Sequence, residues 1–165
     1  MMKQARRLLL ALLALFPVLP LMAGEPVVIG WVEDVSVVPH NLTFHAKIDT
    51  GADNSSMHAE DIHIYEKANA KRVRFTVEDD RGEVTKLDMP LLRITNIKRK
   101  GADDQYRPVV SMKLCLGKQM REVEVNLANR ANFEYHMLIG RSFLKGLYAV
   151  DSARQYTTKP TCTNK

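Results

Sequence analysis

Asp49 stands at a position suited to catalysis, within the run Asp49-Thr50-Gly51-Ala52. An apolar strand-like segment precedes it and would deliver its carboxylate to a tight turn. Gly51 lets the backbone approach that carboxylate closely, and the Thr50 hydroxyl can brace one such turn against another. A water molecule held between two carboxyl groups hydrolyses peptide bonds without a metal or a covalent nucleophile. The run therefore predicts a catalytic turn with Asp49 as general acid and base.

This chemistry needs two carboxyl groups, whereas the sequence contains one complete turn. Two carboxylates about 3 Å apart cannot both ionise, so they share one proton and act as acid and base together. The other partial match, Asp151-Ser152-Ala153, lacks the glycine. Catalysis therefore requires a homodimer in which two Asp49 turns meet on a two-fold axis. An extended peptide or protein substrate would lie across that axis.

A second motif, Leu138-Ile139-Gly140-Arg141, follows about 90 residues downstream. The apolar pair is suited to pack behind the catalytic turn. Gly140 would admit a close crossing of two chain segments, because it has no side chain. The guanidinium of Arg141 suits a carboxylate that is held in fixed geometry.

The two motifs resemble those of retropepsin-like aspartic proteases. Members of that family carry Asp directly after Asp-Thr-Gly-Ala, as Asp53 does here, and Arg directly after the downstream glycine, as Arg141 does. The resemblance implies that these two side chains pair within one subunit and that Asp53 helps to hold the substrate backbone. It further implies a closed β-barrel endopeptidase without a cofactor.

Further blocks make nearly the whole chain after residue 23 similar to a bacterial family of small retropepsin-like proteins. Members are often labelled ATP-dependent zinc proteases, and they more usually have Arg where this chain has Asp53. The matching blocks are Lys47–Ala52, Ser55–Ala59, Arg107–Val110, Leu116-Gly117 and Leu138–Arg141.

The residues do not support the zinc and ATP of that label. His58 and His63 are five positions apart, whereas a zinc protease motif needs two histidines four apart on one helical face. His40, His45 and His136 are scattered along the chain. No glycine-rich loop ends in Gly-Lys-Ser or Gly-Lys-Thr, as a nucleotide-binding loop does. The sequence thus predicts neither a metal nor a nucleotide cofactor.

The elements that must position these motifs are mainly strands. In Arg72–Glu78, for example, apolar and polar residues alternate with the period of a half-buried strand. The pattern predicts an all-β, mainly antiparallel domain with one short helix at Arg141–Leu147, closed by Gly146. The predicted strands are Val27–Val38, Leu42–Thr50, Arg72–Glu78, Val84–Ile97, Val109–Leu116, Arg121–Leu127 and Leu147–Tyr156.

The connections between these strands suggest where a substrate-covering flap would lie. Asp79–Gly82 reads as a hairpin turn in which Gly82 takes a positive φ. The charged segment Lys98–Tyr106 is predicted to be an exposed loop. A flap should come from Glu78–Arg107, between the two motifs, with Asp80–Gly82 and the residues around Gly101 as alternative candidates.

The first 23 residues read as a signal peptide, in which Lys3, Arg6 and Arg7 precede an apolar run. Cleavage after Ala23 would leave one domain, residues 24–165, in the periplasm; the alternative is an uncleaved anchor in the inner membrane. Loss of these three basic residues lowers the net charge from +5 to +2. The remaining domain then has no strong charge with which to bind nucleic acid or an anionic membrane.

The sequence leaves two questions open, the state of the cysteines and the function of the barrel. Cys115 and Cys162 permit one disulfide in an oxidising compartment, or else a buried thiol and a free tail thiol. The barrel is expected to be an aspartic endopeptidase, or else a non-catalytic peptide-binding or accessory module.

Overall fold

The computed structural model describes residues 24–99 and 101–162. The predicted signal peptide, residues 1–23, therefore lies outside the described residues. Within the described part of the chain, no helix is long and apolar enough to cross a membrane.

The described chain contains eleven strands and one short helix. Their bounds are β1 Val27–Val38, β2 Leu42–Ile48, β3 Ser55–His58, β4 Glu60–Lys67, β5 Ala70–Glu78, β6 Val84–Pro90, β7 Arg93–Arg99, β8 Ala102–Leu116, β9 Gln119–Ala128, β10 Met137–Ile139, α1 Arg141–Leu144 and β11 Tyr148–Gln155.

Six of the strands close into a barrel in the order β1-β2-β10-β3-β9-β8. Closure arises because β8 pairs antiparallel with both β9 and β1. The β2–β10 and β3–β9 pairs are parallel, and the other neighbours in the barrel are antiparallel. The predicted all-β closed barrel with a short helix near its C-terminal end is confirmed.

Alternation of apolar and polar residues explains why these segments are strands. In β2, Leu42, Phe44, Ala46 and Ile48 are buried, whereas the residues between them face outward. The same pattern on neighbouring strands fills the barrel with closely packed aliphatic and aromatic side chains. The largest fully buried ones are Phe44, Phe75, Phe143, Ile29, Leu42, Met57, Met112, Leu114, Leu116, Leu127, Met137 and Ile139.

Strands β4, β5 and β6 form a separate antiparallel sheet beside the barrel. Val73, Phe75 and Val77 on β5 face inward and join the barrel core, as their alternation predicts. Strand β4 was missed because no residue of Glu60–Lys67 is buried, so its sequence lacks the contrast between two faces.

Two predicted segments are wrong. Lys98–Tyr106 is not a loop, since β7 and β8 continue through it as a hairpin with Gly101 at φ +78° in its turn. Its polar residues gave a false loop signal because, among its described side chains, Lys98, Asp104 and Tyr106 are exposed and none is buried. Val84–Ile97 is two strands rather than one, because the chain leaves the β5 sheet after Pro90 and joins β8 from Arg93 onward.

The helix is also shorter than predicted. It ends at Leu144 instead of Leu147, because Lys145 at φ −53° and ψ 121° and Gly146 at φ +75° form a turn, in which the Leu147 N–H donates to the Leu144 carbonyl. The chain then turns directly into β11, which pairs in parallel with the start of β1.

The last described residues fasten the chain to the barrel. Glu33 is fully buried in β1, and its carboxylate accepts hydrogen bonds from the backbone and hydroxyl groups of Thr157 and Thr158. Four residues further on, Cys162 forms a disulfide with Cys115 of β8. The segment after β11 is thus held at two points.

The Asp79–Gly82 turn between β5 and β6 is anchored by a buried carboxylate. Asp79 accepts hydrogen bonds from the backbone N–H groups of Thr43, Arg81 and Glu83 and from the Arg81 side chain. Burial works to raise the pKa of Asp79, but these hydrogen bonds outweigh it and lower the pKa to about 2.

Because the unfolded Asp79 has a higher pKa, its contribution to stability should be present above about pH 4 and lost as the pH falls to about 2. We expect the free energy of unfolding to fall by about 1–2 kcal/mol over this range from Asp79 alone. Urea unfolding between pH 7 and pH 2 measures this. The Asp79→Asn variant should be less stable at pH 7 and lose less stability in acid; parallel losses would contradict the assignment.

Candidate active site

Asp49 lies where β2 ends and the chain turns away from the barrel wall. Its N–H donates to the carbonyl of Ile139 at 2.9 Å, which extends the parallel β2–β10 ladder by one residue. Its carboxylate Oδ1 accepts the N–H of Gly51 at 3.0 Å. The side chain is half-buried, so the carboxylate is held in place while part of it faces solvent. The structure thus presents Asp49 as the sequence predicts.

The second motif holds this turn through backbone hydrogen bonds. Through their N–H groups, Arg141 and Ser142 at the start of α1 donate to the carbonyls of Ala52 and Asp53, both at 2.9 Å. Leu138 and Ile139 lie on β10 beside Lys47 and Ile48 of β2. The two motifs, separated along the chain, therefore form one structural unit.

Gly140 makes the close crossing that was predicted for it. A Cβ atom at this position would lie 2.6 Å from the carbonyl carbon and oxygen of Asn54, closer than real Cβ atoms approach. The Gly140 N–H donates to the Ser55 hydroxyl at 3.2 Å. The absence of a side chain thus lets the segment before α1 pass directly against the backbone that follows the Asp49 turn.

Arg141 pairs with Asp53, as the family resemblance implied. One guanidinium nitrogen donates to the Asp53 carboxylate and another to the Thr50 carbonyl. The side chain of Asp53 is 84% exposed, so this ion pair adds little to stability by itself. The two hydrogen bonds of Arg141 link the start of α1 to the exposed side of the turn, at Thr50 and Asp53.

A cavity of about 310 Å³ opens next to the Asp49 carboxylate. One wall is formed by the segment 129–136 between β9 and β10, named here the Arg130 loop. Trp31 of β1 and Lys47 of β2 also line the cavity. The complete lining is Trp31, Lys47, Asp49, Arg130, Phe133, Glu134, Tyr135 and Leu138.

Arg130 is the most unusual residue of this lining because it is only 7% exposed. Burial lowers the pKa of its guanidinium, the positive charge of Arg107 lowers it further, and the Asp49 carboxylate acts in the opposite direction. Its side chain donates to the Tyr135 carbonyl at 3.2 Å and lies over the Phe133 ring. A buried cation therefore shares the cavity with the candidate catalytic carboxylate.

Sequence reasoning missed Arg130, Trp31 and Tyr135. They belong to no sequence motif with a fixed spacing. Arg130 and Tyr135 lie in the connection between β9 and β10, whereas Trp31 lies on β1, far earlier in the chain. The available signal was an Arg and two aromatic residues in the short connection before Met137, a type of segment in which functional residues concentrate.

A family model for "RimB-like: Retropepsin-like aspartic endopeptidase RimB" matches residues 28–161. The chain belongs to this RimB-like family. The predicted membership of a retropepsin-like family is thereby confirmed, and both motifs lie within the matched residues.

Curated relatives that this chain resembles carry a different name. The chain is 31% identical over 109 residues to a probable alpha-L-glutamate ligase of Parasynechococcus marenigrum, which covers 64% of this chain and 23% of the ligase. It is 30% identical over 113 residues to a protein of the same name from Desulfotalea psychrophila. This match covers 67% of this chain and 24% of that protein. The RimB-like chain thus spans about a quarter of the length of these relatives.

A solved structure supports the same fold for this RimB-like protein. A Legionella pneumophila protein of unknown function superposes with a TM-score of 0.70 at 35% sequence identity. The match covers 82% of this chain and 100% of the other.

The structure also locates the histidines that were weighed as metal ligands. His58 ends β3 and His63 lies within β4, so the two are not a pair. The sequence suggested that His136 is scattered away from the other histidines. In the structure, its ring centroid lies 5.1 Å from that of His58. Within residues 24–99 and 101–162, no three His, Cys, Asp or Glu side chains are placed to hold one metal ion.

Replacing Gly140 with Ala should disturb the catalytic turn, because the new methyl group would overlap the Asn54 backbone. We expect the free energy of unfolding to fall by about 1–3 kcal/mol, the usual cost of overpacking. Urea unfolding of Gly140→Ala measures it. The control is Gly24→Ala, whose added methyl group would meet no atom within 4 Å. Equal stability of the two variants would show that the crossing tolerates a side chain.

Proposed function

We propose that this RimB-like protein is an aspartic endopeptidase that acts as a homodimer. The observation that carries the proposal is the position of Asp49 in a braced turn, with Gly51 donating to its carboxylate at 3.0 Å. The same turn is gripped by the second motif and opens on a cavity. Membership of an aspartic endopeptidase family supports this reaction class.

In the proposed reaction, a water molecule lies between the Asp49 carboxyl groups of two subunits. The ionised carboxylate removes a proton from the water, whose oxygen attacks the scissile carbonyl carbon. The protonated carboxyl donates its proton to the carbonyl oxygen, which gives a tetrahedral diol. When this diol collapses, one of its hydroxyl groups returns a proton to the dyad as the carbonyl re-forms, the C–N bond breaks, and the amide nitrogen takes a proton from the dyad. The two carboxyl groups are left sharing one proton, as at the start.

A second subunit is required because the described part of the chain offers one Asp-Thr-Gly turn. Thr50 is exposed, so it is available to contact the same turn of a partner. A groove of about 720 Å³ beside Thr50 runs along α1 and β11 and includes Leu144 and Tyr148. This surface around the turn is where we place the two-fold axis.

We propose the β7–β8 hairpin, rather than the Asp80–Gly82 turn, as the arm that covers the substrate. The Asp80 N–H donates to the Thr43 carbonyl at 3.1 Å, so that turn is fastened to the beginning of β2. The hairpin instead extends beyond β9. Arg107 at its base lies near the cavity, because its positive charge lowers the pKa of the Arg130 guanidinium.

The charges of the cavity favour acidic substrates. Lys47 and the buried Arg130 share it with Asp49, while the Glu134 carboxylate interacts with the Tyr135 hydroxyl. A buried guanidinium lacks solvation that an anionic side chain of the substrate would restore. The names of the longer relatives refer to glutamate, which agrees with a peptide containing glutamate.

We further propose that the domain works in the periplasm after removal of residues 1–23. The disulfide between Cys115 and Cys162 supports an oxidising compartment. Anchoring by an uncleaved apolar segment remains the competing proposal for its location. The competing function is a barrel that binds peptides without cleaving them, either alone or as an accessory to a larger complex.

Asp49→Asn should abolish peptide cleavage, because an amide cannot accept the proton from water. The assay is cleavage of a peptide library by residues 24–165, between mildly acidic and neutral pH, with a chelator present throughout. We expect the wild-type chain to cleave as a dimer and to keep its activity with the chelator. Full activity of Asp49→Asn would exclude the aspartic mechanism. Absence of cleavage by a monomeric wild-type chain would favour the binding module.

Arg130→Gln should weaken selection of acidic peptides. We expect kcat/KM for glutamate-containing peptides to fall about 10-fold or more, the scale of one lost charge-assisted hydrogen bond, with little change for neutral analogues. The control is Arg154→Gln, which removes a largely exposed charge on β11 outside the cavity. Equal losses on acidic and neutral peptides would contradict a role of Arg130 in selectivity.

A further inference from the structure

His58 lies between the two ends of the Arg130 loop. Its backbone N–H donates to the His136 carbonyl at 2.7 Å, where the loop ends. The next residue, Ala59, donates to the Ala128 carbonyl at 3.1 Å, just before the loop begins. The His58 backbone region thus fastens both ends of the loop to β3.

The His58 side chain adds a third, internal attachment. Its ring Nδ1 lies 2.9 Å from the backbone nitrogen of Arg130, in a buried hydrogen bond. A backbone N–H can only donate, so Nδ1 must be the acceptor and carry no proton. The neutral ring therefore carries its proton on Nε2, which faces the Glu60 carboxylate at 3.3 Å.

Within the loop, the other hydrogen bonds join loop residues to one another. Phe133 donates to the Arg130 carbonyl at 2.9 Å, and the Arg130 side chain donates to the Tyr135 carbonyl at 3.2 Å. The bond from Arg130 to His58 therefore ties this internally bonded unit to the barrel. The same unit presents Arg130, Phe133 and Tyr135 to the Asp49 cavity.

A second proton on His58 would oppose this arrangement. Both ring nitrogens would then be donors, and the Nδ1–H would face the Arg130 N–H at a buried position. The charged groups around the ring come from several elements. Glu60, Glu78 and His136 line a cavity of about 330 Å³ with His58, and Arg130 lies on the loop side. The carboxylates would favour the added charge, whereas the guanidinium of Arg130 would oppose it.

We propose that His58 is a positioning residue that holds the Arg130 loop against the Asp49 cavity only while its imidazole is neutral. Acidification releases Arg130 from the barrel and opens that wall of the cavity. The effect on turnover rests on the endopeptidase function proposed above, whereas the movement of the loop does not.

Trp31 offers a readout of the loop that needs no substrate. It is the one tryptophan of the chain, and its ring meets that of Tyr135 edge to face at 5.9 Å. We expect Trp31 fluorescence to change in one step when the wild-type protein is titrated between about pH 8 and pH 5, where histidine gains its proton. His58→Asn should remove the step, because an amide oxygen can take the place of Nδ1 as acceptor and does not titrate.

The matched control is His136→Gln, which removes the neighbouring histidine and should leave the step in place. Persistence of the step in His58→Asn, its loss in His136→Gln, or no step in the wild-type protein would each overturn the proposal. Amide hydrogen exchange of the wild-type protein gives a test without any variant. At the acid end, protection of the Arg130 N–H should fall about 10-fold more than that of the barrel amides. Equal changes would overturn the proposal.

Peptide cleavage then tests the consequence for the active site. We expect the acid limb of the kcat/KM profile to include a fall of about 10-fold, mainly through KM, that is absent from His58→Asn. Rescue by Asn distinguishes this role from a purely structural one. If the wild-type protein cleaves no peptide, the endopeptidase proposal fails, while fluorescence and hydrogen exchange still decide whether His58 controls the loop.

Discussion

The close contact between the backbones of Gly140 and Asn54 is the constraint on which the active-site region depends. It lets the start of α1 donate hydrogen bonds to the carbonyls of Ala52 and Asp53 in the turn that follows Asp49. It also places β10 between β2 and β3, so that Asp49 follows a strand supported on both sides by barrel neighbours. A side chain at residue 140 would separate these segments, and the turn would lose its support. The geometry of the carboxylate is thus set by backbone packing rather than by side-chain ion pairs.

Around this centre, the molecule divides into a rigid part and a part with fewer attachments. The barrel strands are filled with closely packed apolar side chains, which resist displacement. The Arg130 loop instead meets the barrel through its two ends, the bond to His58 and the ring contact of Tyr135 with Trp31. A closely packed frame therefore carries Asp49, while a loop with fewer attachments forms part of the cavity beside it.

The sequence was most informative where local chemistry dictates structure. The motifs at Asp49 and Gly140 predicted the turn and its crossing, since each needs particular residue types at fixed positions. Alternation predicted β2 and β5, because each has one buried face. It failed for the β7–β8 hairpin, where no described side chain of Lys98–Tyr106 is buried, and for β4, where no residue is buried. Arg130 and His58 could not be paired from sequence, because 72 positions separate them and it is the pairing of β3 with β9 that brings them together.

The order of strands in the sheet also bears on how the chain acquires its structure. β10 lies between β2 and β3, and β11 pairs with β1, so the earliest strands have neighbours from the last third of the sequence. Contacts between such distant segments form slowly, because a long stretch of chain must first be brought together. The Asp49 turn cannot gain its support until residues 137–142 are available. Shortened chains that stop before this point would retain the Asp-Thr-Gly run but not the scaffold that gives it a shape.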